Sequence, residues 1–165
     1  MSLVVRAMLF SESAHRGQFR KYTGGAYSEH PRRVASEAVR LGLNDEAVAA
    51  AFLHDVVEDC GVAFEEILEV FGPRVEFLVR GLTDDPAAEG NRAARKAAIC
   101  AKLAKTPDRE LHTLKLLDIE DNAKEIAGQD PNFWRSMKKE PASVLEACAL
   151  AHPKAKKAVK RYMKD

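Results

Sequence analysis

Phe52-Leu53-His54-Asp55-Val56-Val57-Glu58-Asp59 decides how this chain is read, because it sets four groups able to bind a metal or move a proton inside apolar sequence. On a helix at about 100° per residue, with His54 at 0°, Glu58 falls near 40°, Asp55 near 100° and Asp59 near 140°. Phe52, Leu53, Val56 and Val57 fall between about 160° and 300° on the same wheel. The run from Ala47 to Ala51 before it is small and apolar, so the expected helix is buried nearly all round. Three carboxylates and an imidazole in such a place are costly without a neutralising partner. A divalent cation is the simplest one. The competing reading is a solvated polar face that happens to carry a histidine.

Start and stop signals bound this helix. Asn44 caps it, Asp45 and Glu46 occupy its favourable first turn, and Cys60-Gly61 ends it. Upstream, Leu3, Ala7, Phe10 and Ala14 predict a helix from residue 2 to about 20, whose end carries His15, Gln18, Arg20 and Lys21. Gly24-Gly25 marks a loop, and Pro31 suits the first turn of a helix reaching Leu41. His30 then sits at that helix's N-cap region, fixed by the backbone.

Downstream, Phe64, Ile67, Leu68 and Phe71 predict one short helix, and Val75, Leu78, Val79 and Leu82 another. Asp85-Pro86 reads as a cap and first helical residue, and Thr106-Pro107-Asp108 repeats the start signal. The helix expected from Pro107 to about Ala127 places Leu111, Leu114, Asp118 and Asn122 on one face. Asp118 thus lies on a stripe that points to the core, and an acid there needs a metal or an arginine as partner. Asp130-Pro131 opens a further helix with Phe133, Trp134 and Met137 expected in the core. Pro141 to Ala151 reads as a small helix, and a basic one follows Pro153.

The chain of 165 residues is long enough for one compact domain. Abundant alanine and leucine with short β-branched runs predict an all-α helical bundle over 1–165. The net charge of +1 calls for neither nucleic acid nor an anionic membrane. Three cysteines without a CxxC read as reduced thiols of a cytoplasmic protein. The apolar run Leu3 to Phe10 is interrupted by Arg6, is too short to span a bilayer, and lacks a following cleavage pattern. The basic last helix could attract phosphate, though such a run is usually a solvated face. A homo-oligomer stays open.

Collected, His30, His54, Asp55 and Asp118 form a candidate mixed N/O ligand set from three separate helices. Such a set suits Mn²⁺, Fe²⁺ or Zn²⁺ better than Ca²⁺ and has no thiolate to mark a structural zinc. Four protein ligands on a six-coordinate ion leave room for water and a substrate oxygen, as phosphoester hydrolysis requires.

The series His…His-Asp…Asp resembles the signature of the HD superfamily of metal-dependent phosphohydrolases, and most closely the hydrolase domain of the RelA/SpoT family and its small alarmone hydrolases. The resemblance runs from about Ala14 to Asn122. It rests on HRGQFRK (15–21), AYSEHP (26–31), FLHDVVED (52–59), the turns at 71–72 and 83–85, and LKLLDIEDN (114–122). It implies an HD-type fold, with His30, His54, Asp55 and Asp118 as metal ligands and Mn²⁺ as the usual ion, Fe²⁺, Zn²⁺ or Co²⁺ being further options. It implies that Glu58 and Asp59 position or activate the attacking water, and that Arg20, Lys21 and Asn122 contact a nucleotide.

The activity implied is hydrolysis of guanosine 3′,5′-bis(diphosphate), or its pentaphosphate, at the 3′ position with release of pyrophosphate. Leu117 in place of the family's usual alanine, the loop Tyr22 to Ala26, and Glu125 depart from the pattern. These departures leave open a phosphohydrolase for another nucleotide, such as the 2′-phosphate of NADPH or a nucleoside monophosphate; a catalytically silent nucleotide-binding module is a separate alternative, against which all six metal-binding and acidic positions are present. His15 is expected either to support the site or to hold the first helix, not to bind the metal.

Overall fold

Ala47, Val48, Ala49, Ala50, Ala51, Phe52 and Leu53 are all buried, and the rest of the fold is arranged around the helix they form. The computed structural model describes residues 1–84, 91–137 and 140–163. Eleven helices are described: α1 (Leu3–Ala14), α2 (Glu29–Arg40), α3 (Asp45–Leu53), α4 (Val56–Cys60), α5 (Phe64–Phe71), α6 (Pro73–Leu82), α7 (Arg92–Lys105), α8 (Arg109–Gln129), α9 (Pro131–Met137), α10 (Glu140–Ala147) and α11 (Pro153–Met163). Among the described residues the extended structure is one isolated bridge, Phe19 to Ala26. The all-α expectation is met.

α3 is the helix buried on every side. It packs against α1, α2, α6 and α8. Its alanines let those neighbours approach closely, which larger side chains would prevent. Core side chains from every described helix except α9 join or pack against one contiguous cluster. Where α6 meets α8, Gly81 makes room: a Cβ there would lie 2.6 Å from Leu111 Cδ1. None of the described helices is long and apolar enough to cross a membrane.

Several boundaries differ from the sequence reading for identifiable reasons. α1 stops at Ala14 instead of near residue 20. The chain turns at Gly17, where φ is 82°, and the Gln18 carbonyl then accepts from the Tyr27 amide at 3.0 Å. Arg20 and Lys21 therefore sit on a small loop, not on a helix end. The single helix expected from Asn44 to Cys60 breaks at His54-Asp55 into α3 and α4. His54 Nδ1 bonds the Ala51 carbonyl at 2.8 Å, the acceptor that an unbroken helix would offer to the Asp55 amide. Asn44 does cap α3, its Oδ1 accepting from the Ala47 amide at 2.9 Å.

α8 starts two residues later than Pro107, with Asp108 as its N-cap. α10 ends at Ala147, before Ala151. Phe133, Trp134 and Met137 are only half-buried, because α9 forms one wall of a cleft. The expected cap Asp85 and first helical residue Pro86 lie outside the described residues.

Asp108 ties α6 to α8. Its Oδ1 accepts from the Leu111 amide at 2.9 Å, and Arg74 grips both oxygens at 2.8 and 3.1 Å. Burial alone would raise the Asp108 pKa, but the Arg74 guanidinium and the cap bond outweigh it and hold it below the ordinary carboxylate range. A carboxylate with a depressed folded pKa stabilises the fold above its unfolded value, near 3.9, and loses that contribution as pH falls. Asp108→Ala is expected to cost about 1–2 kcal/mol at neutral pH. In chemical denaturation the difference from the parent should shrink below about pH 4. A pH-independent difference would show that the carboxylate charge is not the source.

Candidate active site

Four side chains expected from sequence to hold a metal meet at one point. The break between α3 and α4 brings His54 Nε2 to 3.2 Å from Asp55 Oδ1. α2 delivers His30 from its first turn, placing His30 Nε2 3.2 Å from His54 Nε2 and 3.7 Å from Asp55 Oδ2. α8 delivers Asp118, whose Oδ1 lies 3.4 Å from His30 Nε2 and 3.8 Å from His54 Nε2. Donor atoms of His30, His54 and Asp55 all lie within 4.8 Å of one another. Asp118 closes the set from the histidine side.

The donor chemistry fits a cation. The Ala51 carbonyl can only accept, so His54 Nδ1 carries the proton of its hydrogen bond. His30 Nδ1 lies 2.7 Å from Asp121 Oδ2. Burial alone would raise the Asp121 pKa, but His30 and Arg33 bring it down to about 2, so its carboxylate is ionised and accepts from His30. With Nδ1 protonated, each imidazole in its neutral form offers an Nε2 lone pair toward the other and toward two carboxylates. Such a convergence of lone pairs needs a positive charge at its centre. The His30 pKa reports the same surplus: burial would lower it, but Asp118 and Asp121 lift it to about 9.

The surroundings orient these donors. Tyr27 donates its hydroxyl to Asp55 Oδ2 at 2.9 Å. Burial and the nearby Asp55 and Asp59 charges push its pKa far up, keeping it a neutral donor. His15 stacks on the Tyr27 ring, centroids 4.6 Å apart, so it supports the site at one remove instead of facing the donors. Asn122 Nδ2 donates to Asp118 Oδ1 at 2.7 Å, and Lys115 Nζ meets Asp118 Oδ2 at 3.2 Å. Burial would lower the Lys115 pKa, but Asp118 and other carboxylates raise it, so Lys115 remains cationic.

A cleft of about 330 Å³ opens over this point, with Asp55, Glu58, Asp59, Lys96, Lys115 and Asp118 among its lining residues. Glu58 and Asp59 are exposed at its mouth, not buried as an unbroken helix would place them. The Asp84 amide donates to Glu58 Oε2 at 3.4 Å. Partial burial and the neighbouring acids Asp84, Asp55 and Asp59 raise the Glu58 pKa. Carboxylates outnumber ammonium groups around the cleft, which disfavours a phosphate unless a cation intervenes.

The nucleotide-contacting expectations divide. Asn122 lines the cleft. Arg20 bonds Asn122 Oδ1 at 2.7 Å and Glu125 at 3.0 and 3.2 Å, so it lies behind Asn122. Lys21 does not reach the cleft; its ammonium sits over the Tyr22 ring, 5.5 Å from the centroid. Sequence reasoning assigned no role to Tyr27, Arg33, Lys115 or Asp121. Lys115, Asp118 and Asp121 follow i, i+3 spacing on α8, so a second polar stripe beside Leu111-Leu114-Asp118-Asn122 was the available signal.

Known proteins resemble this chain in sequence and in fold. Residues 7–129 match the family described as the HD domain. A Haemophilus influenzae protein named guanosine-3′,5′-bis(diphosphate) 3′-pyrophosphohydrolase is 34% identical over 160 residues, 95% of this chain but 23% of that protein. The chain therefore spans less than a quarter of that relative's length. The Drosophila melanogaster protein of the same name, MESH1, is 35% identical over 133 residues, covering 79% of this chain and 73% of the relative. In fold, a solved structure described as a metazoan orthologue of SpoT that hydrolyses ppGpp matches with a TM-score of 0.87 at 24% identity, covering 98% of this chain and 94% of that one.

Proposed function

This chain belongs to the HD-domain family, and we propose that it is a metal-dependent hydrolase of guanosine 3′,5′-bis(diphosphate), cleaving the 3′ ester and releasing pyrophosphate. The observation that carries this reading is the convergence of His30, His54, Asp55 and Asp118 at the floor of a cleft with Glu58 and Asp59 at its mouth. The relatives' shared name supplies the substrate.

In this reading His30, His54, Asp55 and Asp118 hold a divalent ion, with Mn²⁺ the ion proposed. When bound, such an ion supplies positive charge for phosphoryl oxygens and raises the acidity of water. The remaining chemistry falls to the chain. Glu58 accepts a proton from the attacking water, and Asp59 orients that water. The water oxygen bonds to the 3′ phosphorus, the bond from phosphorus to O3′ breaks, and O3′ takes up a proton. Lys115 and Lys96, which both line the cleft, face the charge gathering on the phosphoryl oxygens. Asn122 meets the nucleotide while holding Asp118, and Arg20 holds Asn122 in turn.

A panel of nucleotides offered to the purified chain with Mn²⁺ tests this. Pyrophosphate is expected from guanosine 3′,5′-bis(diphosphate), with activity abolished by EDTA and restored by Mn²⁺. Robust cleavage of NADPH or a nucleoside monophosphate, with none of the bis(diphosphate), would reject the substrate assignment.

A further inference from the structure

Arg33 and Asp121 form a two-residue brace behind His30. Arg33 Nε donates to Asp121 Oδ1 at 2.7 Å, and its terminal nitrogen donates to Asp121 Oδ2 at 2.8 Å. The same Oδ2 receives His30 Nδ1 at 2.7 Å. A second carboxylate, Glu125, stands 3.4 Å from the Arg33 guanidinium and is itself gripped by Arg20. His30 is 1% exposed, so its Nδ1 proton has no solvent to turn to. The ring's other polar neighbours, His54, Asp118 and Asp55, all lie on the Nε2 side.

We propose that Asp121, held planar by Arg33, is the positioning residue that fixes His30 with its proton on Nδ1 and so presents Nε2 as a ligand. The inference rests on the reading of His30 as a metal ligand and adds to it the device that sets the tautomer. Two features favour this over a merely structural ion pair. The fork-to-fork grip fixes the plane of the carboxylate, which a single contact would leave free to rotate. And the oxygen that meets the imidazole is one of the two that Arg33 clamps, so ring orientation is transmitted through a rigid group. With both of its oxygens receiving N–H donors from Arg33, the carboxylate meets Nδ1 as an acceptor, which excludes the opposite tautomer. An asparagine amide could donate to Nδ1 as readily as accept from it, and would admit the form with Nε2 protonated.

Mn²⁺ titrations by calorimetry on the full chain, compared among the parent, Asp121→Asn, Arg33→Met, Arg33→Lys and His30→Ala, test the brace. Asp121→Asn is expected to weaken Mn²⁺ binding by about 10–100-fold. Arg33→Met should weaken it less, and Arg33→Lys should recover part of the loss, while melting of the metal-free variants stays near the parent's. In ¹⁵N spectra of the Zn²⁺-loaded protein, the His30 Nδ1–H signal of the parent should be lost in Asp121→Asn. A parent that binds Mn²⁺, a His30→Ala variant that does not, and an Asp121→Asn variant with parental affinity would overturn the brace alone. A parent that fails to bind Mn²⁺ would overturn the metal reading and the brace with it.

Discussion

Alanine at His54 is expected to give a folded protein that no longer binds Mn²⁺ and hydrolyses guanosine 3′,5′-bis(diphosphate) at least about 1,000-fold more slowly. The magnitude follows from the charge stabilisation a metal supplies, several kcal/mol, at about 1.4 kcal/mol per tenfold in rate. The fold should survive for local reasons. The imidazole makes one backbone contact, from Nδ1 to the Ala51 carbonyl, and losing a bond of that kind costs about 1 kcal/mol. Against that, the substitution removes a lone pair from a point where His30 Nε2, Asp55 and Asp118 already converge.

Thermal melting separates the two contributions. Metal-free parent and variant should melt within a few degrees of each other, while Mn²⁺ should raise only the parent's melting temperature. At metal about 100-fold above its dissociation constant the expected gain is about 2.7 kcal/mol. Equal metal-induced stabilisation of the two proteins would remove His54 from the ligand set.

The helical architecture was legible because its signals are local. Asn44 and Asp130 caps, the prolines at 131 and 153, and the apolar spacing of 64–82 each act within a turn or two, and each is found where expected. The fully buried helix was legible from the alanine run before His54. The errors arose where a side chain replaced a backbone partner, or where burial depended on a distant element. His54 takes a carbonyl that periodicity assigns to an amide, so a wheel drawn through residues 52–59 could not anticipate the break. Trp134 and Met137 look like core residues in isolation, but α9 has the cleft on one side.

The candidate site was legible in its residue types and less so in its connections. His30 and Asp118 are 88 positions apart in the chain, and residue chemistry with helical phase was enough to nominate both. Asp121 was passed over because it lies off the stripe that carries Asp118 and Asn122, and its significance depends on Arg33 from another helix. Glu125, noted only as a departure, turns out to hold Arg20 and stand beside Arg33. Pairings between helices of this kind leave no periodic trace, so they become visible only when the helices are packed.

Glu58→Gln is expected to separate proton handling from metal binding. In the proposed mechanism Glu58 takes the proton of the attacking water, and loss of a positioned general base lowers rate by roughly 100-fold or more. The glutamine keeps the shape and an acceptor oxygen for the Asp84 amide, so the cleft wall should stay in place. It also keeps away from the four donors, so Mn²⁺ affinity should match the parent's.

Stability supplies an independent sign. Burial and the charges of Asp84, Asp55 and Asp59 raise the Glu58 pKa. A carboxylate with a raised folded pKa opposes folding at any pH above its unfolded value. Removing its charge should therefore leave the melting temperature unchanged or slightly higher while kcat falls and KM changes little. That combination is the mark of a group acting in the transition state. A near-parental kcat would pass the proton-accepting role to Asp59, and Asp59→Asn would then show the larger drop; a lost kcat accompanied by lost Mn²⁺ affinity would instead place Glu58 among the metal's own supports.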